Sequence, residues 1–130
     1  MIRFAVSLGV DDAAQKLIVA IAPFPMGLTA HINGQANCRK KGMDVPADQI
    51  LEVFRPDYAA KVWAAEKMAG IDIPLRIHIY EQDGRTWIAH RTASETFQPY
   101  TNPGLDALGA ELDAIFWQIL AALDAWRLPA

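Results

Sequence analysis

A chain of 130 residues is long enough to bury one core of its own, and 52% apolar against 21% charged residues excludes a disordered tail. The net charge is −3 and the only basic cluster is Arg39-Lys40-Lys41, too short to track a phosphate backbone, so nucleic acid is not an expected partner. Cys38 stands alone, which excludes an intrachain disulfide and suits a reducing, cytoplasmic compartment, while the absence of a signal-peptide pattern or a bilayer-length apolar run excludes a membrane partner.

Residues 2–7 alternate with period two and predict a strand. Asp11 is expected to cap a helix to about residue 22, with Ala14, Leu17, Ile18 and Ile21 on one stripe, and Pro23 and Pro25 end it. A second alternating strand is predicted over residues 28–33, then a short polar helix over 35–41 closed by Gly42. A third strand follows at 50–55. Asp57 is expected to cap a helix to about residue 69, carrying Tyr58, Val62, Ala65 and Met68. Residues 75–81 and 85–91 form the strongest hairpin signal, joined by Gln82-Asp83-Gly84. A loop is predicted over residues 92–102, and Asn102-Pro103 starts a long helix to about residue 126. No repeat or linker interrupts this order, so the expectation is a single α+β domain over residues 1–130: a five-stranded, mainly antiparallel sheet with helices on one face, β-α-β-(α)-β-α-β-β-α.

Side chains alternate across a strand, so each strand supplies two sets. One is apolar: Ile2, Phe4, Val6, Leu28, Ala30, Ile32, Leu51, Val53, Leu75, Ile77, Ile79, Trp87 and Ala89. This set is expected under the helices. The other is mixed and includes Arg3, Thr29, His31, Asn33, Ile50, Glu52, Phe54, Arg76, His78, Tyr80, Thr86, Ile88 and His90. The assignment depends on the turn. A two-residue Asp83-Gly84 turn pairs Tyr80 with Trp87 and moves His90 to the apolar side; a three-residue loop pairs Ile79 with Trp87 and keeps both faces coherent. The second register is expected, because it buries five apolar residues together; it leaves all three histidines on the open face.

That face supplies the candidate ligand-binding residues Arg76, His78, Tyr80, His31, His90 and Glu52. Arg76 would anchor an anionic small molecule beside His78, Tyr80 and Glu52. A metal site of His31, His78 and His90, completed by Glu52 or Cys38, needs convergence that no tight spacing signals, so no metal and no other cofactor is expected. Cys38 beside Arg39 and Lys40 reads as a packed bystander, and no catalytic residue is assigned because phosphate loops and the usual hydrolase motifs are missing.

The stretch Asp72-Ile73-Pro74-Leu75-Arg76, running into Tyr80-Glu81-x-Asp83-Gly84-x-x-Trp87, resembles the bacterial family catalogued as domain of unknown function 302. The likeness extends over roughly residues 10–125, including the Gly27-Leu28-Thr29 strand and Phe54-x-Pro56. The chain resembles a divergent member: Asn33-Gly34-Gln35-Ala36 stands where the family has Asp-His-Ala, and Phe54-Arg55-Pro56 where it has Phe-Gly-Asn-Pro. The resemblance implies a fold similar to a single copy of the TATA-box-binding-protein arrangement, assembled as a homodimer.

Two functional readings follow. In the first, the chain is a small, dimeric binding or accessory protein without catalytic activity. Its subunit contact would cover Ile50, Phe54, Tyr80 and Ile88 on the open face, or the helix side around Trp117. In the second, an enzyme or small-molecule-binding protein uses the His/Tyr/Arg cluster, with the loop over residues 92–102 as a lid.

Overall fold

The structure, a computed structural model, describes residues 1–24 and 26–130; Pro25, one of the two expected helix stops, lies outside the described residues. The described residues form five strands: β1 (Ile2–Val6), β2 (Gly27–Asn33), β3 (Asp48–Phe54), β4 (Leu75–Gln82) and β5 (Arg85–His90). They pair antiparallel throughout in the order β1-β5-β4-β3-β2, which leaves β1 and β2 at the edges. The helices are α1 (Val10–Ile21), α2 (Gly34–Arg39), α3 (Pro56–Ala65), α4 (Ala93–Phe97) and α5 (Pro103–Leu120). Among the described residues, no helix is long and apolar enough to cross a membrane.

Helices cover one face of the sheet. From α1, Ala14, Leu17 and Ile21 are buried on one stripe, and from α5 come Leu105, Leu112, Phe116 and Ile119. They meet Leu51, Val53, Ile77, Ile79 and Ile88 of the sheet, all fully buried. Each such side chain stabilises the fold by roughly 1.5–3 kcal/mol through removal from water, which holds the strand register firmly.

Several expected ends move. The N-cap of α1 is Gly9, without a side-chain cap bond; Asp11 lies in the first turn and accepts from Gln49 instead. Arg55 takes the N-cap of α3, with Pro56 in the first turn and Asp57 paired to Arg55. That helix stops at Ala65 and passes into a 3-10 segment, Lys67–Asp72. The expected loop over residues 92–102 contains α4, whose capping box is Thr92 with Glu95, followed by a 3-10 turn, Gln98–Tyr100. Asn102 does cap α5, accepting from Leu105 N at 3.1 Å, but the regular helix ends at Leu120 and the last residues tighten into a 3-10 segment.

The largest correction concerns the hairpin. Asp83 (φ 53°) and Gly84 (φ 73°) are both left-handed, the signature of a two-residue type I′ turn. Gln82 therefore faces Arg85, Tyr80 faces Trp87 and Ile77 faces His90. Trp87 and Ala89 sit on the open face, while Thr86, Ile88 and His90 go under the helices at 6%, 0% and 2% exposure. The turn prevails because its twist matches that of the strands it joins, and its costs are offset locally. His90 finds a carbonyl partner and an aromatic neighbour, and Trp87 finds a guanidinium.

β2 is also out of the expected phase. A register shift between Leu28 and Ala30 leaves Thr29 in a bulge, so Ala30 pairs with Glu52 and Ile32 with Ile50 on the open face. His31 and Asn33 pair with Leu51 and Gln49 and belong to the opposite side. The surface bearing all three histidines is thus dissolved; only His78 remains on the open face.

Candidate functional site

The open face carries a connected polar and aromatic network. Its rows follow from the pairings: Ile32, Ile50, His78, Ala89 and Arg3 lie across one, and Ala30, Glu52 and Arg76 across the next. His78 Nε2 is 2.9 and 3.0 Å from the two oxygens of Asp48. A carboxylate accepts only, so Nε2 carries the proton and donates, which leaves Nδ1 as an acceptor. The His78 ring stacks on Tyr80 at 4.5 Å. The Tyr80 hydroxyl accepts from Arg3 Nε at 2.8 Å, and Arg3 also donates to Gln82 at 3.2 Å. The Arg3 guanidinium lies 3.7 Å from the Trp87 ring, a cation–π contact that orients it. Arg76 sits 3.4 Å from Glu52 across the strands, with most of its side chain exposed.

Beside His78 the face dips into a hollow of about 270 Å³. Pro74, Arg76, His78 and Ala89 line its sheet side, Ile71 and Asp72 one flank, and Arg91 and Thr96 the other. Among the described residues Arg91 has no salt bridge, because its neighbour Glu95 is engaged by the Met1 ammonium and by Thr92 N–H. That ammonium holds the Glu95 carboxyl below its usual range. Asp72 accepts from the Tyr100 hydroxyl, which pushes the Tyr100 phenol up.

His90 borders the same hollow from inside the sheet. Its Nδ1 donates to the Arg76 carbonyl at 2.9 Å, and its ring stacks on Phe116 at 4.8 Å. Burial pushes its pKa below the ordinary histidine value, outweighing the opposing effects of that hydrogen bond, Asp113 and Glu95. His31 lies elsewhere. Its Nε2 is 2.6 Å from the Gln49 amide oxygen, and Gln49 donates to Asp11 at 2.6 Å, so it ties edge strand β2 to α1.

Of the candidate residues, the fold brings Arg76, His78, Tyr80 and Glu52 together, puts His90 behind them and sends His31 away. Among the described residues, no three His, Cys, Asp or Glu side chains converge as a metal-binding group. Sequence reasoning missed Asp48, Trp87 and Arg91, and placed Arg3 on this face without assigning it to the site. Asp48 shares the period-two phase of Ile50 and Glu52, and extending β3 by two residues would have found it.

The comparisons agree with the architecture. The family model described as domain of unknown function DUF302 matches residues 2–123. The chain belongs to this family. The crystal structure of an uncharacterized conserved DUF302 protein from Bacillus stearothermophilus is similar, with a TM-score of 0.80, 23% identity and 97% of each chain covered. At that identity the likeness establishes the fold. No curated protein matches the chain. At the departure from the family pattern, Asn33 caps α2, accepting from Ala36 N at 2.9 Å, and Gln35 donates to the Val45 carbonyl. In this DUF302 chain those positions serve local structure.

Proposed function

We propose that this single-domain cytoplasmic protein binds a small carboxylate-bearing molecule in the hollow beside His78 and catalyses no reaction on it. The observation that carries this reading is the hollow itself, which Arg76 and Arg91 line together with His78 and where Arg91 is without an ion partner among the described residues. A guanidinium presents a planar fork of donors matched to a carboxylate, and bidentate pairing supplies both affinity and orientation. Asp48 fixes the imidazole through Nε2 and leaves Nδ1 as the acceptor that a ligand hydroxyl could use. Binding is favoured over catalysis because His78 holds a carboxylate and a stacked tyrosine and, among the described residues, no serine, threonine or cysteine is hydrogen-bonded to it as a nucleophile.

Thermal-shift titration with a panel of small mono- and dicarboxylates tests this. At least one is expected to raise Tm, with the shift lost in both Arg76→Ala and Arg91→Ala. A panel without any stabilising member, or a shift that survives both substitutions, refutes it. Self-association as a homodimer is a second reading, favoured by Ile32, which is 40% exposed next to Ile50 on the open face.

A further inference from the structure

His90 is committed at one nitrogen only. Its Nδ1 donates to the Arg76 carbonyl, so the neutral ring carries its proton there and Nε2 is a bare acceptor. Among the described residues Nε2 has no hydrogen-bond partner, although the side chain is only 2% exposed. Yet no buried side-chain nitrogen or oxygen among them is sealed off without a partner, so Nε2 reaches space that water can enter. The register puts this ring on the helix-covered side of the sheet, together with Ile2, which pairs with His90 directly. There α5 presents Asp113, Phe116 and Trp117, spaced i, i+3 and i+4 along one side of the helix. Between strands and helix lies a hollow of about 270 Å³, lined by these five residues and Thr92.

Its polar groups accept far more than they donate. Asp113 Oδ1 takes the Ser94 N–H at 3.2 Å, and Oδ2 has no partner among the described residues. The Thr92 oxygen accepts from Glu95 N, which leaves its hydroxyl as the one donor side chain in the lining. No lysine or arginine lines the hollow, and the ammonium of Met1, next to Ile2, is held by Glu95. Burial lowers the His90 pKa, so Nε2 stays an acceptor at neutral pH. An anion would meet an unneutralised carboxylate here, whereas a cation with N–H groups meets two acceptors and the indole of Trp117, the side chain best suited to attract it. We propose that Nε2 opens into this hollow and that the hollow binds a small organic ammonium ion. Asp113 holds its charge, Nε2 accepts one of its N–H groups, and Ile2, Phe116 and Trp117 enclose its apolar part. The ring of His90 lies flat on Phe116, which walls this hollow and not the one beside His78, so the site stands independently of the carboxylate reading above.

The probe is benzylamine, a cation at neutral pH, with benzyl alcohol as its neutral counterpart and benzyltrimethylammonium as a cation without N–H groups. Sodium chloride serves as the ionic-strength control. Millimolar benzylamine is expected to raise Tm by roughly 3 °C over chloride, and each counterpart by less than half as much. Asp113→Asn keeps an acceptor for Ser94 N and is expected to lose most of the benzylamine shift, while Arg76→Ala keeps it in full. A second measurement needs no variant to fold. In protein isotopically labelled at its histidine nitrogens, the magnetic resonance signal of His90 Nε2 is expected to move on titration with benzylamine, and those of His31 and His78 to stay. No benzylamine shift above chloride, an equal shift from either counterpart, a shift undiminished in Asp113→Asn, or a His90 signal that does not move each overturn the proposal.

Discussion

The imidazole of His90 is pressed against Phe116, with one nitrogen committed to the Arg76 carbonyl, and at 2% exposure it has little water to solvate a charge. The folded form therefore resists protonation, and its pKa lies below the ordinary value of 6.5. The unfolded chain binds that proton first as pH falls. The contribution to stability is complete above about pH 6.5 and declines as pH drops toward the folded pKa, where it levels off. Urea unfolding between pH 7.5 and 5 is expected to show this decline in the parent and a shallower one in His90→Gln, which retains a donor but does not titrate. At pH 7.5 the variant is expected to be less stable by about 1 kcal/mol, from lost stacking on Phe116. Parallel pH curves would exclude His90 as the responsible group. Period-two reading found Arg76, His78, Tyr80 and Glu52, because alternation along one strand and its paired neighbour needs no knowledge of the turn. It failed for Trp87 and His90, whose face is decided by two residues at the hairpin tip.

At the scale of elements the hairpin shows why. Counting apolar residues favoured a three-residue loop, yet Asp83 and Gly84 both adopt left-handed backbone and close a two-residue turn. A local backbone preference outweighed a packing count because the displaced residues found partners the count could not include, namely a carbonyl for His90 and Arg3 for Trp87. The order of elements along the chain and the core stripes of α1 and α5 were legible for the opposite reason, since they rest on many buried side chains at once. α4 escaped notice although Thr92-x-x-Glu95 spells its capping box, because only one turn of apolar pattern follows. It packs tightly on α5: a Cβ at Gly109 would stand 3.1 Å from Ser94 Cα and 3.3 Å from Ser94 N. Gly109→Ala gains about 1 kcal/mol in helix propensity and loses about 1–3 kcal/mol to overpacking against α4 backbone. The net expectation is a loss of about 1 kcal/mol in urea unfolding; a gain in stability would show that α4 yields freely.

For the whole molecule, the decisive asymmetry is a sheet covered on one face only, with two edges treated differently. The β1 edge is closed by the returning chain at Ala5, Val6 and Ser7. The β2 edge has no such cover among the described residues, and residues 27–33 contain no charge or proline to discourage pairing. Self-association is therefore expected where the β2 edge meets the open face, around Ile32 and Ile50. It is not expected through Ile88 or Phe54, which the sequence suggested but which are buried within each chain at 0% and 5% exposure. A charge at Ile88 would unfold the protein and say nothing about assembly. Ile32 is 40% exposed on an edge strand, so Ile32→Lys places a soluble, edge-blocking charge there at little cost to the fold. Light scattering at micromolar concentration is expected to give twice the chain mass for the parent and the single-chain mass for Ile32→Lys, with Tm of the variant no longer dependent on concentration. A parent of single-chain mass refutes the dimer. A dimer that persists in Ile32→Lys but separates in Trp117→Lys would move the contact to α5, where Trp117 is 61% exposed.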